Sequence, residues 1–406
     1  MKVLHVIPSV APSRGGPSFV IRTMARGLVQ RGIETHIATT DDNGPSRLDV
    51  PLGRPVGEDG VVYWYFPRQT RFYTFSLPFT IWLWRHASDY DLIHIHTLFS
   101  YCSNAAAWAA RRKGIPYIIR PLGVLNRWGM NKRRPWLKRL SFALLEKKLL
   151  GGAARVQYTA DQERMEASEL GFPHTPVVIP NPVEISALSR DKLRGRFRAR
   201  YPQLTGRRII LFLSRIDRKK GLDLLIPAFS QVVARHPDSV LVIAGDGDRE
   251  LVETLQRRAH QLGLDDSVLW IGFIGGDNKF EALADADIFV LPSYSENFGI
   301  AAVEAMAMGV PVVLTDQVAI HREVADSSAG LVTQPAVGPL AKGIIYLLSP
   351  EGENTAMGPN ASRLARTCFD AGIVIRQLIR MYRGVLGGAD LADPTPDSIH
   401  SSHTAT

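Results

Sequence analysis

Short apolar, β-branched runs alternate with stretches of helical period along most of the chain. Val3 to Ile7 is a continuous run of the kind a buried parallel strand shows. A turn rich in Pro, Ser and Gly (Pro8 to Pro17) separates it from an amphipathic stretch, Phe19 to Gln30, that closes at Gly32. Thr35 to Thr40 and Leu92 to His96 read as further strands, Asn104 to Lys113 as an Ala-rich helix, Pro116 to Arg120 as a strand and Pro135 to Leu150 as a helix. Val177 to Ile179 is the last strand before Pro180-Asn-Pro182, where two prolines exclude regular structure and mark a link. The alternation then starts over: strands at Arg207 to Ser214, Ser239 to Gly245, Ser267 to Ile271, Ile288 to Leu291 and Pro311 to Leu314 are separated by helices at Gly221 to Arg235, Glu250 to Leu262, Asn278 to Ala284 and Gly299 to Met308. Strands alternating with helices imply α/β architecture with parallel, doubly wound sheets, here two Rossmann-like domains at 1–183 and 207–370, joined by a linker at 184–206 and facing across a cleft. Ligands of such sheets sit at the carboxyl ends of the strands, so the site is expected between the domains. A helix over 371–387 is expected to cross back to the first domain, and the polar, aperiodic tail 388–406 to be disordered.

A length of 406 residues with 45% apolar positions suits two cores and excludes a disordered chain or a small stapled scaffold, and no internal period suggests a repeat architecture. Cys102 and Cys368 cannot form a multi-disulfide framework, and Met1 to Pro8 is too short an apolar run for a signal peptide, so a cytoplasmic address is expected. No apolar stretch approaches the roughly 20 residues needed to span a bilayer. The net charge of +9 is unevenly spread: residues 1–187 hold 24 Lys and Arg against 14 Asp and Glu, the rest 24 against 25. Arg111 to Lys148 alone carries twelve cations and one acid, Glu146, either as a solvated helix face or as a surface that attracts phosphates, anionic lipid or nucleic acid. Aromatic residues crowd Tyr63 to Trp84, interleaved with Arg68, Arg71 and Arg85. Such a segment suits a lipid headgroup layer, and equally a strand and helix packed in a core. No nucleic-acid partner is expected, since neither base-stacking platforms nor a reader fold is seen.

Two constellations carry chemistry. Arg215 and Lys220 lie between a strand and a helix, where free N–H groups, the helix dipole and cations favour phosphate; a solvated basic loop is the plain alternative. Glu296 and Glu304 flank the start of the helix expected at Gly299 to Met308, with Gly299 removing a Cβ where a ligand would approach the main chain. Their carboxylates suit sugar hydroxyls, the alternatives being dipole compensation and a helix-face salt bridge.

Arg215, Lys220 and the Glu, seven residues, Glu pattern of Ser295-Glu296-Asn-Phe-Gly299-Ile-Ala-Ala-Val-Glu304 resemble the group 1 (family 4) retaining glycosyltransferases of the GT-B fold, the type that builds bacterial cell-surface polysaccharides. Gly15-Gly16 after the first strand, His94-Ile-His96, the proline link and Gly245-Asp-Gly247 extend the resemblance over residues 1 to about 385. It implies that Arg215 and Lys220 hold the donor diphosphate, that Glu304 takes the ribose, and that Glu296 takes a hydroxyl of the donor sugar. It further implies that the main chain at Phe298, Gly299 and Ile300 meets sugar and phosphates, that Phe273 and Ile274 lie by the base, and that Gly15 and Gly16 approach the diphosphate. His96 would be the active-site histidine facing the donor sugar, with a buried core histidine as the competing account; His94 is read as a core histidine on the opposite face of that strand. With His96, Arg215, Lys220 and Glu296 form the expected catalytic set. Two departures from the family pattern are Pro182 in place of a glycine at the link, and Arg120-Pro-Leu-Gly123 where many relatives have histidine and glycine, so Arg120, with Trp128 and Lys132, is expected to meet the acceptor.

Ala284-Asp285-Ala-Asp287 superficially resembles an acidic metal motif but runs into a strand, so no metal and no cofactor are expected beyond the nucleotide sugar as co-substrate. A departing diphosphate would then be stabilised by Arg215, Lys220 and the helix start at Gly299. Retention follows from the resemblance only, and with no nucleophile in view front-face displacement is expected. The expected function is transfer of a hexose to a lipid-linked oligosaccharide or polysaccharide precursor, with peripheral contact at the inner face of an anionic membrane. A soluble transferase acting on a small or glucan acceptor is the alternative.

Overall fold

The computed structural model describes residues 1–131, 135–185, 189–353 and 356–387. Lys132 and the tail 388–406 lie outside the described residues.

The chain forms two main sheets. The first has eight strands in the order Pro176–Val178, Arg155–Tyr158, Tyr117–Arg120, Leu92–His96, Lys2–Ser9, Glu34–Thr40, Val61–Phe66 and Pro55–Glu58, parallel except for the last pair. The second has six parallel strands: Val268–Gly272, Ser239–Ala244, Arg208–Leu213, Ile288–Leu291, Val312–Thr315 and Gly330–Thr333. Central strands are covered on both faces, which is why they read as unbroken apolar runs rather than alternating ones. Strand order reverses between Lys2–Ser9 and Leu92–His96 in the first sheet, and between Arg208–Leu213 and Ile288–Leu291 in the second. Each reversal opens a crevice at the carboxyl ends of its strands.

Packing decides one alternative left open by the sequence and revises two expectations. First, much of the aromatic segment is core: Tyr63, Tyr65 and Phe66 on Val61–Phe66 and Phe79 and Trp82 on helix Leu77–His86 are buried, whereas Phe72 and Trp84 remain exposed. Second, the stretch expected as a linker belongs to the second domain. Arg190–Leu193 and Arg196–Arg200 are helical, Phe197 and Leu204 are buried against Ile209, Leu211 and Phe289, and the Arg198 guanidinium donates to the carbonyls of Leu204 and Arg207. Third, the basic helix is broken into Pro135–Ser141, a wider π-type turn at Phe142–Glu146 and Lys147–Gly151. Its lone acid, Glu146, is buried there, accepting from the hydroxyls of Tyr73 (3.1 Å) and Ser141 (2.9 Å).

The crossing between domains is a single parallel bridge between Val183 and Asp370: the Val183 N–H donates to the Phe369 carbonyl (3.0 Å) and the Ala371 N–H donates to the Val183 carbonyl (2.8 Å). Helix Ala371–Val385 then lies on the first domain, where Val374, Ile375 and Leu378 pack with Val20, Met24 and Leu28 of helix Gly16–Val29. A Cβ on Gly27 would stand 2.8 Å from the Ile375 side chain, so this close approach requires glycine.

Candidate active site

The second domain supplies the charges. Strand Arg208–Leu213 ends in a loop carrying Arg215, exposed, and a single turn, Arg218–Lys220, capped by the Asp217 carboxylate accepting from the Lys219 N–H (3.0 Å). The loop after Ile288–Leu291 is stitched to that turn by the Tyr294 N–H donating to the Lys219 carbonyl (2.8 Å). This stitching brings Lys220 and Glu296 into an ion pair, both largely buried. Burial works against the Glu296 charge, but Lys220, then Lys219, and the Phe298 N–H outweigh it and hold the carboxyl below its usual range. Helix Ile300–Ala307 starts from Gly299, whose φ of 85° is a conformation that favours glycine. One and a half turns in, buried Glu304 accepts from Lys279 Nζ at 2.6 Å. Burial pushes its carboxyl up, and Lys279 offsets only part of that.

Lys279 is a site residue that the sequence reading missed, because nothing in its local pattern distinguishes it from any surface lysine. Phe298 is buried, so of this residue only main chain is offered to a ligand, whereas Phe273 is 73% exposed at the end of Val268–Gly272 beside half-buried Ile274. Asp285 and Asp287 have the structural roles expected of them: Asp285 accepts from the N–H groups of Gly195 (2.5 Å) and Arg198 (3.0 Å), and Asp287 from Ile209 (2.7 Å).

The first domain faces these groups with its glycine loop. A Cβ on Gly15 would lie 3.8 Å from Arg215 Nε, and one on Gly16 would lie 3.2 Å from Ile300. Arg215, Lys220, Glu296, the start of helix Ile300–Ala307 and Gly15-Gly16 therefore surround one crevice.

The histidines are arranged differently from the expectation. His94 does not point away from His96: residues two apart on a strand share a face. The two rings lie 4.3 Å apart, and both pack on His5, which the sequence reading passed over as a strand residue. All three are fully buried, so His96 is not open to the crevice and the competing account, a buried histidine, describes it. His5 Nδ1 and His96 Nε2 are 2.9 Å apart, and His94 Nδ1 is 2.7 Å from the hydroxyl of buried Tyr382, from the returning helix. Burial, reinforced by the Arg120 charge, pushes His5 down to about 3 and the other two well below their ordinary value, so all three are neutral. Neutral imidazoles could in principle ligate a metal. However, the group contains no carboxylate and has a guanidinium beside it, which disfavours a second cation. Arg120 is itself corrected: it is buried and donates to Asn181 of the proline link rather than reaching an acceptor, and burial pushes its own value down to about 10. Trp128, on Arg127–Asn131, is 40% exposed.

On the outer surface the aromatic and basic segments meet. Trp84 stacks on Trp108 at 4.9 Å, with Lys113 over the Trp84 ring and Arg112 over Trp108. Beside them Arg111, Arg112 and Lys148 rim a groove walled by Trp108, Leu144 and Leu145. Among the described residues no helix is long and apolar enough to cross a membrane.

Two mainly parallel-sheet domains, each with one reversal of strand order and joined by a helix that returns to the first, are the GT-B architecture. The solved structure of Anabaena HepE in complex with UDP superposes with a TM-score of 0.78 at 20% identity, over 95% of this chain and all of that one. The family model for glycosyl transferases group 1 matches residues 194–364, and that for the glycosyl transferase 4-like domain matches 15–182. A phosphatidyl-myo-inositol mannosyltransferase of Mycobacterium leprae is 31% identical over 316 residues, 74% of this chain and 75% of that one. D-inositol 3-phosphate glycosyltransferase 2 of Catenulispora acidiphila is 28% identical over 386 residues, 88% of each. The chain belongs to the group 1 glycosyl transferase family.

Proposed function

We propose that the protein transfers a hexose from a nucleoside-diphosphate sugar, with retention and without a metal ion, to a lipid-linked saccharide at the inner face of a membrane. The observation that carries this reading is the buried Lys220–Glu296 pair beside the start of helix Ile300–Ala307. A diphosphate takes Lys220 and Arg215, and a sugar hydroxyl takes the carboxylate that Lys220 releases. Lys279 and Glu304 make the same exchange with the ribose. The negative charge that grows on the leaving diphosphate is met by two cations and the N–H groups at Gly299 and Ile300, in a site whose cost of organisation is met on folding. No side chain is assigned as a covalent nucleophile, so the acceptor hydroxyl attacks the anomeric carbon from the side the diphosphate leaves: the bond to the phosphate oxygen breaks as the new C–O bond forms, and the hydroxyl proton passes to that departing oxygen.

For the acceptor, the names of the two relatives point to a lipid in one case and a small inositol phosphate in the other. The tryptophans and cations around the Trp108 groove favour the lipid. The test is thermal shift against UDP, GDP, ADP and TDP, each with and without EDTA, repeated on Lys220→Ala. One diphosphate should raise the melting temperature regardless of EDTA and do nothing to the variant. A shift with none of the four ends the donor-site reading.

A further inference from the structure

The residues on either side of Glu296 are both tied to the first domain. Ser295 Oγ accepts from Asn126 Nδ2 at 3.3 Å, and Asn297 Nδ2 donates to Thr159 Oγ1 at 3.0 Å. Thr159 sits at the end of strand Arg155–Tyr158, and behind it is Glu163, 3% exposed. One oxygen of Glu163 accepts from the Gly123 N–H (2.5 Å); the other accepts from the Thr159 N–H (2.7 Å) and hydroxyl (2.8 Å). A hydroxyl has one proton. The carboxylate claims it at 2.8 Å, more strongly than the Asn297 carbonyl at 3.2 Å, and leaves the Thr159 lone pairs facing Asn297 Nδ2. Gly123, held by the same carboxylate, has a φ of 76°, and a Cβ there would stand 2.5 Å from Asn297 Oδ1. One buried carboxylate thus organises both surfaces that receive Asn297.

We propose that Glu163, acting through Thr159, is a positioning residue that seats Asn297 and so aligns Glu296 with the loop Gly123–Asn126. This rests on the donor-site reading above. Binding of a nucleoside diphosphate alone uses Arg215 and Lys220 and does not need the seat, whereas turnover does.

The test compares the full chain with Thr159→Val, Asn297→Asp, Glu163→Gln and the conservative Thr159→Ser. Three readouts are taken: UDP and GDP affinity by calorimetry, release of diphosphate from UDP- and GDP-hexoses, and hydrogen exchange of the amides at 295–298. The first three variants should bind diphosphate within about twofold of the parent and turn over about tenfold more slowly, as loss of one charge-supported hydrogen bond predicts. Amides 295–298 should exchange faster in all three, and Thr159→Ser should restore both properties. Unchanged exchange at 295–298 in Thr159→Val and Asn297→Asp overturns the proposal whether or not any donor is turned over. So does a fall in diphosphate affinity parallel to the fall in turnover. A parent chain that binds no diphosphate defeats the donor-site reading instead, and the exchange arm still decides the seat.

Discussion

The two domains keep polar groups out of water in opposite ways. In the second, Lys220 with Glu296 and Lys279 with Glu304 are charged, paired and beside a crevice. In the first, His5, His94 and His96 are fully buried and neutral, linked to one another and to Tyr382. An ion pair at a crevice can be exchanged for a ligand at little net cost, because each partner finds a new one. A cluster of neutral imidazoles has nothing to exchange, and its stability depends on protons staying away. The first arrangement serves binding, and the second fixes the frame on which the glycine loop is carried.

The largest effect should come from breaking the exchangeable side. Glu296→Gln keeps the shape and removes the charge, and turnover of the donor should fall by about a hundredfold or more, measured as diphosphate release. Acid then separates the two domains. The three histidines have folded values depressed below 6.5, so the unfolded chain takes up protons first as pH falls. Their contribution is therefore fully present above pH 6.5 and lost below it, at about 1.4 kcal/mol per pH unit for each histidine. Glu296, held below 4.5, contributes stability that is present above that pH and lost only as pH falls through its lower folded value. Urea melts at pH 7.5, 6 and 5 should show the steep loss, and His5→Asn should flatten it; an unchanged slope would mean that these rings are not buried neutral. Next in size, Tyr382→Phe leaves the His94 ring nitrogen without its partner and should cost about 1–3 kcal/mol, seen as a lower urea midpoint at unchanged slope. The smallest effect on stability, within about 0.5 kcal/mol, is expected from Arg112→Glu on the exposed groove, which should nevertheless weaken co-sedimentation with anionic vesicles.

The second domain was the more legible because its chemistry is local. Arg215 and Lys220 lie on one loop, Glu296 and Gly299 lie on another, and Glu304 is in the helix that follows it, each at a strand-to-helix junction that hydrophobic period alone marks. What stayed hidden were partners supplied from far along the chain. Lys279 meets Glu304 across 25 positions and Thr159 meets Asn297 across 138, and neither residue has a neighbour in sequence that announces a role. Val61–Phe66 was obscured because one aromatic-rich pattern serves a strand, a surface loop and a helix in succession. Phe197 was obscured because prolines at 180 and 182 suggested a link extending further than it does. His94 was misplaced by a count of strand period, not by any ambiguity in the residues.

The returning helix orders events during synthesis. Tyr382 meets a histidine 288 positions earlier, and the helix that carries it covers apolar side chains including Val3, Leu92 and Ile118. While the ribosome is still making the second domain, the first has all its strands but one face uncovered and its imidazoles without their last partner. The first domain is therefore completed after the second has been made, and until then it presents an apolar surface that helix Ala371–Val385 covers.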